Sequence, residues 1–396
     1  MPFLLLALVK AGVLMALLLL TLLYIQWVER KVIARIQRRW GPHRVGPHGL
    51  LQPLADTLKL LTKEDLVPPH AHKFLFLLAP FLAVSLALLS IAVIPFGEEI
   101  EVFGQRTPLQ LTDLNIGPLF ILAVTSLGVY GITLGGWASN NKYSLFGALR
   151  SAAQMISYEL SLSLGVVGAL LLSGSLSLRE IVDAQAGFSF GFLPRWNVFQ
   201  GPWPQWAGFL VYLTAAFAET NRAPFDLPEA ETELVAGFHT EYSSMKFAMF
   251  FMAEYANMIT VACLATVLFL GGWHPPLPES WGVQFAPALA GAAVAALLWY
   301  HSSGAAPGKQ RWSMQAGAAA AALGGAAFLW PGTRAVFSPL FWFAAKSGFL
   351  LFFYIWVRAT LPRFRYDQLM NFGWKVLFPA GMANALATGL MVALFG

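Results

Sequence analysis

Charge and cysteine are what this 396-residue chain has least of. Asp, Glu, Lys and Arg make up 11% of it, against 57% apolar residues. Soluble domains carry roughly twice that share of charge, so a water-facing globule is excluded. The one cysteine, Cys263, rules out an internal disulfide and a thiolate-held cluster on this chain alone. The seven histidines (His43, His48, His70, His72, His239, His274 and His301) fall in loops or at expected helix ends. Facing axial haem ligands in mid-membrane are therefore not expected. No GxGxxG or GxxxxGKS/T motif occurs, which leaves nucleotide binding without local support, and no metal site is expected. Ten-residue alternating strands are also absent, which removes the transmembrane barrel.

What remains is a series of long apolar runs. Candidate spans lie at about 3–28, 74–96, 117–137, 152–173, 206–222, 246–271, 283–300, 312–331, 337–357 and 376–395. Runs of this length cross a hydrocarbon core of roughly 30 Å as helices. The fold expected is an all-α, polytopic membrane bundle of about ten helices, one domain over 1–396. Residues 3–28 lack a basic leader and run into "WVERK" rather than a small-residue cleavage site, so they read as a retained first helix. Of 25 Lys and Arg, 19 fall in 30–73, 142–150, 222–246, 309–311 and 358–375. That skew puts these segments inside and both termini outside, and makes the net charge of +5 a topology signal rather than a nucleic-acid footprint. Trp27, Trp137, Trp206, Trp273, Trp299, Trp330 and Trp356 stand near span ends, where interfacial belts form.

Three segments stand out. In the inner loop 29–73, Leu50, Leu51, Leu54, Leu58 and Leu61 follow helical spacing, with Gln52, Asp56, Lys59 and Lys63 on the other face. A helix over 50–61 is too short and too one-sided to span, so it lies in the interface, either as an anchor or as the sill of a lateral opening. Residues 283–331 are rich in Ala and Gly, hold no acid, and read as an extra helical hairpin at the periphery with its turn inside.

The third segment, the acidic inner loop 218–245, holds six of the chain's twenty acids: Glu219, Asp226, Glu229, Glu231, Glu233 and Glu241. Pro224 stops the preceding span near Arg222, and Asp226 suits a helix N-cap with Glu229 at the capping-box position. Capping accounts for one or two of these acids, not six. Glu159, Glu219 and Glu254 stand at or inside apolar sequence, where an ionisable group is a functional hypothesis by default. Glu219 can pair with Arg222, three residues on. Glu159 and Glu254 need partners from other helices or from water. A row of such groups leading from the surface into the membrane is what a proton path requires.

The stretches "ERKVIARIQRRWGPHRVGPHGLLQPLADTLKLLTKED", "GWASNNKYSLFGALRSAAQMISYEL", "AETNRAPFDLPEAETELVAGFHTEYSSMKFAMFFMAEY" and "IWVRATLPRFRYDQLM" closely resemble the H-subunit family of proton-pumping NADH–quinone oxidoreductase, respiratory complex I. The likeness covers most of the chain except about 275–335 and the outer loops. It implies a membrane component that forms much of a quinone chamber and couples quinone reduction to proton movement. On that footing Arg30, Gln37, Arg39, Asp56 and Lys59 match the chamber and its entrance. Arg222, Asp226, Glu229, Glu231 and Glu233 match the acidic loop beneath it. Glu159, Glu219, Glu241 and Glu254 match buried carboxylates that carry charge onward. No redox centre is expected here; iron–sulfur clusters and flavin would belong to partner subunits, with quinone (ubiquinone or menaquinone) as substrate. The partners implied are peripheral-arm and neighbouring membrane subunits, with lipid and no nucleic acid. His43 replaces the family's usual Asn, and Ser126 stands where some relatives carry a carboxylate. A hydrogenase-type complex is the alternative within the superfamily, and a stand-alone ion transporter the alternative outside it.

Overall fold

In the computed structural model, which describes residues 2–102, 105–226, 235–304 and 308–395, all ten expected spans are helices. In chain order they are α1 (Pro2–Ile36), α3 (Lys73–Ser90), α4 (Gly117–Ala138), α5 (Lys142–Ser173), α7 (Trp206–Glu219), α8 (Ser244–Phe269), α9 (Ala286–Ser303), α10 (Lys309–Ala327), α11 (Pro331–Thr360) and α13 (Phe378–Phe395). Among the described residues, eight helices are long and apolar enough to cross a bilayer; α7, at 14 residues, is shorter, and α10 has 19 residues of lower hydropathy. The chain is a multi-pass membrane protein.

Alternation of the helices gives the bundle two ends. One, here the basic end, holds 37–72, 139–141, 220–226, 235–243 and 361–365; the first turn of α1 and the last turn of α13 lie at the opposite end. There the connections are two short antiparallel hairpins, Glu99–Val102 with Gln105–Pro108 and Phe188–Ser189 with Leu193–Pro194, plus a short helix α6 (Leu178–Ala184). At the basic end lies the expected amphipathic helix, α2 (Gln52–Thr62), with Pro in its first turn. Its leucines 50, 51, 54, 58 and 61 are all exposed in the isolated chain, as a lipid-facing stripe must be.

Several boundaries move from the expected ones for local reasons. The fourth span begins ten residues earlier, because the Asn141 side chain accepts from Tyr143 N at 2.9 Å and caps α5. The fifth span stops at Glu219 rather than Arg222: Asn221 takes a left-handed conformation (φ 50°) that ends the helix before Pro224 is reached. The last span continues a short helix α12 (Tyr366–Phe372) through a π-turn at Gly373–Leu377, where Gly373 lies against the Tyr158 ring. Trp273, expected in the interfacial belt, turns inward and is 3% exposed, whereas Trp137, Trp206, Trp299, Trp330 and Trp356 face outward.

Small residues set the crossings. A Cβ on Gly165 would sit 2.9 Å from Tyr212 N, and one on Gly131 2.9 Å from Ala83 N, so α5–α7 and α3–α4 approach backbone to backbone. Gly291 and Gly325 do the same for α9 and α10, which pack chiefly on each other. The core is centred on α8, whose residues from Met258 to Phe269 are almost all buried. The segment that follows it is held by Lys346 of α11, which donates to the carbonyls of Leu270, Gly272 and His274 at 2.6–2.9 Å.

Candidate functional site

Three helices, α5, α7 and α8, bring carboxylates together beneath loop 220–226. Glu219 ends α7 and is 7% exposed; Glu254 lies in α8 and is 8% exposed. Both line one small internal cavity with Asn221, Asn257, Thr220, Met155 and Phe250. It offers about 20 Å³ to the centre of a water molecule, enough for about one water. Glu219 Oε2 is buried with no hydrogen-bond partner among the described residues, which suits a group facing a hydrated cavity. Glu159 of α5 is close enough for its like charge to act on Glu219, and it bonds the Ser126 hydroxyl of α4. Thus Ser126 supplies a hydroxyl to the next acid along the row.

The expected Glu219–Arg222 pair does not form. Arg222 instead reaches across to α1, where its Nη2 lies 3.0 Å from Glu29 Oε2. Tyr255 of α8 donates to the same oxygen at 2.7 Å, Arg358 of α11 pairs with the other oxygen, and the Arg222 guanidinium stacks 4.3 Å from the Tyr255 ring centroid. Glu29 and Arg222 are each 4% exposed. The reason is geometric: after the left-handed Asn221 the chain turns away from the α7 axis, so Arg222 leaves the face that carries Glu219. Glu29 thereby ties α1, α8, α11 and the start of the loop into one charged knot.

Asp226 is paired with Arg363 at 2.8 Å, and beside it Phe225 stacks on Phe364 while Phe364 N donates to Pro224 O. Loop 220–226 is therefore clasped to 358–365. Glu229, Glu231 and Glu233, and the helix that Asp226 was expected to cap, lie outside the described residues. Glu241 accepts from Asn141 Nδ2 at 2.6 Å, close to where α4 meets α5. Neighbouring His239 is buried against Phe238, Phe247 and Phe251; burial pushes its imidazole down to about 4, so it is neutral.

The five residues expected at an entrance divide. Arg30 pairs with Asp56 at 2.5 Å, Lys59 lies 3.9 Å from the same carboxylate, and Gln52 donates to it at 3.0 Å. With Trp27, Pro42 and Pro53, three of these (Arg30, Gln52 and Asp56) line a cleft between α1 and α2. Gln37 and Arg39 are not in it: they bond each other at 2.7 Å on the exposed surface. Past α2, Lys246 pairs with Asp65 at 2.9 Å and Ser244 donates to Leu60 O, which fixes the cleft's floor to α8.

The sequence reading missed Glu29, Tyr255, Asn257, Arg358 and Arg363. A signal was available for three of them. Glu29 is the one acid at the end of α1, and Arg358 and Arg363 are cations with no acid between residues 280 and 366. Asn257 has no comparable mark.

Known proteins match this chain almost end to end. A family model described as NADH dehydrogenase matches residues 9–389. The NADH-quinone oxidoreductase H subunit numbered 1 in Solibacter usitatus is 59% identical, over 99% of this chain and 98% of that protein. The H subunit numbered 2 in Koribacter versatilis is 54% identical over the same shares, and the one numbered 1 in Geobacter sulfurreducens is 46% identical over 97% and 94%. On this agreement along its whole length, the chain belongs to the NADH dehydrogenase family, among the H subunits of NADH-quinone oxidoreductase.

Proposed function

We propose that this chain forms a quinone chamber at the basic end of the bundle and passes the charge change of quinone reduction into the membrane as proton movement. The names of its relatives support the quinone and the multi-subunit assembly. The observation that carries the coupling is the pair Glu219 and Glu254 on one water-sized cavity, directly below loop 220–226. Neither carboxylate needs to contact quinone. A quinone that gains two electrons takes up protons, and the electrostatic change falls on a loop held by Arg222–Glu29 and Arg363–Asp226. A shift of that loop alters the field at Glu219, and a water in the cavity carries the proton toward Glu254. Glu159 of α5 adds a third carboxylate to the row, near Glu219. Asp56, Arg30 and Lys59 frame the entrance between α1 and α2, open to the lipid-facing leucines of α2. Electrons arrive from a cluster on a neighbouring subunit. The basic end faces the cytoplasm and the termini the other side of the bacterial inner membrane.

Glu254→Gln in the assembled complex tests this reading. Electron entry from NADH to an artificial acceptor stays intact, while quinone reduction coupled to pumping falls severely. An unchanged proton-to-electron ratio would remove Glu254 from the path.

A further inference from the structure

Two stretches of this chain hold no acid at all: 30–55 and 280–366. The fold brings them together. The 3-10 turn Pro47–Gly49, just before α2, touches α10 of the Ala/Gly-rich hairpin. His48 in that turn is held below its ordinary value, first by burial and then by the positive charges of Lys31, His43, His301 and Arg35. Thus the end of α1, the Gly-Pro loop and the end of α9 converge on one spot. Aromatic rings line it: Arg35 lies 4.9 Å over Trp40, Trp40 is 5.8 Å from His43, and His43 is 5.7 Å from His48. None of Lys31, Arg35, His43, His48 or His301 pairs with a carboxylate among the described residues. The nearest paired cation is Arg30, whose Asp56 belongs to the entrance cleft.

Concentrated positive charge with no paired carboxylate among the described residues calls for an external anion. Its height in the membrane says which. The cluster sits where α1, α9 and α10 end, and Trp299, Tyr300 and Trp312 near it are 60%, 73% and 75% exposed. Indole and phenol rings take that position at the headgroup level of a bilayer. Helices α9 and α10 expose most of their length, so lipid reaches the spot along them. A quinone headgroup carries no fixed charge and would gain nothing here.

We propose that the junction of α1, the Gly-Pro loop and the α9–α10 hairpin binds the phosphodiester head of an anionic phospholipid. Arg35, Lys31 and the three imidazoles supply the donors, and Trp40 and Tyr300 flank the glycerol region. The hairpin thereby acts as one wall of a lipid site beside the quinone entrance. Basic pockets between membrane helices hold anionic heads in this way.

The test uses the whole complex, washed free of loosely held lipid in detergent, with Arg35→Gln and His301→Gln combined in this chain. Native mass spectrometry counts the phospholipids retained, and phosphatidylglycerol in nanodiscs is titrated back. Wild type keeps at least one more anionic phospholipid, and its half-saturating phosphatidylglycerol fraction is lower by roughly tenfold. Equal retention and equal titration would overturn the site, as would displacement of the lipid by inorganic phosphate alone. A photocrosslinking residue in place of Trp312, in an otherwise native chain, decides the matter even if the double variant does not assemble. A phospholipid adduct supports the proposal; an adduct to a neighbouring protein overturns it.

Discussion

Arg222 and Glu29 are 193 residues apart in sequence, yet their side chains meet at 3.0 Å as a buried pair. Glu29 also accepts from Tyr255 and pairs with Arg358, so one carboxylate balances two guanidiniums from different elements. Glu29→Gln removes the charge that buried Arg222 and half-buried Arg358 share. Losing one partner of a buried pair costs about 3–5 kcal/mol. Assembled complex should become scarce, and what assembles should unfold at a lower temperature. Tyr255→Phe removes one hydrogen bond to the anion and should cost about 1.5–3 kcal/mol, a visibly smaller loss. Equal effects of the two would show that charge balance is not what holds the knot.

Helix α2 presents Leu54 outward, 46% exposed, near the α1–α2 cleft proposed as the quinone entrance. Leu54→Glu should raise the apparent KM for a long-tailed quinone several-fold while leaving a short-tailed analogue nearly unaffected. The assembled complex, assayed with both quinones, reports this directly. Parallel changes with both would mean that α2 only anchors the chain.

Topology is open to a labelling experiment because Cys263, the one native thiol of this chain, is buried. Gly304 stands at the end of α9, on the side of the 37–51 loop. A Gly304→Cys chain should react with an impermeant maleimide from the cytoplasmic side only, with label read on this chain once the complex is separated. Reaction from the other side would reverse the hairpin and the orientation downstream.

His239 gives a pH signature. Its folded value of about 4 lies below the ordinary 6.5 because burial disfavours the imidazolium. Below pH 6.5 the unfolded state binds a proton that the folded state refuses. The histidine's contribution is therefore complete above pH 6.5 and is lost as pH falls to about 4, by roughly 3 kcal/mol in all. His239→Phe, among Phe238, Phe247 and Phe251, removes that titration. The thermal stability of the complex should then fall less steeply with acid across this window, and an identical slope would show His239 already charged or exposed.

How much of this was legible beforehand follows from range. The spans and the amphipathic α2 depend on composition and local period, and the folded chain keeps them. The pairing did not follow from spacing. Glu219 and Arg222 sit three apart, which on a continuing helix brings them together; the left-handed Asn221 breaks the helix between them. Arg222 then satisfies itself on α1, a choice made by tertiary approach alone. The same holds for Ser126, which looks like a missing acid in sequence and is a hydroxyl partner of Glu159 in space. Gln37 and Arg39, grouped with Asp56 by resemblance, lie beyond the end of α1 and point to the surface.

The central claim is that Glu219 relays charge from the loop beneath the quinone chamber to Glu254. Glu219→Gln keeps the shape and removes the titration, and since Arg222 is paired elsewhere, the change breaks no ion pair. The deciding measurement is the proton-to-electron ratio of the assembled Glu219→Gln complex in proteoliposomes. The account predicts near-normal assembly, normal electron transfer from NADH to an artificial acceptor, and a ratio that collapses together with quinone-coupled turnover. A Gln complex that reduces quinone and pumps at the wild-type ratio would contradict it.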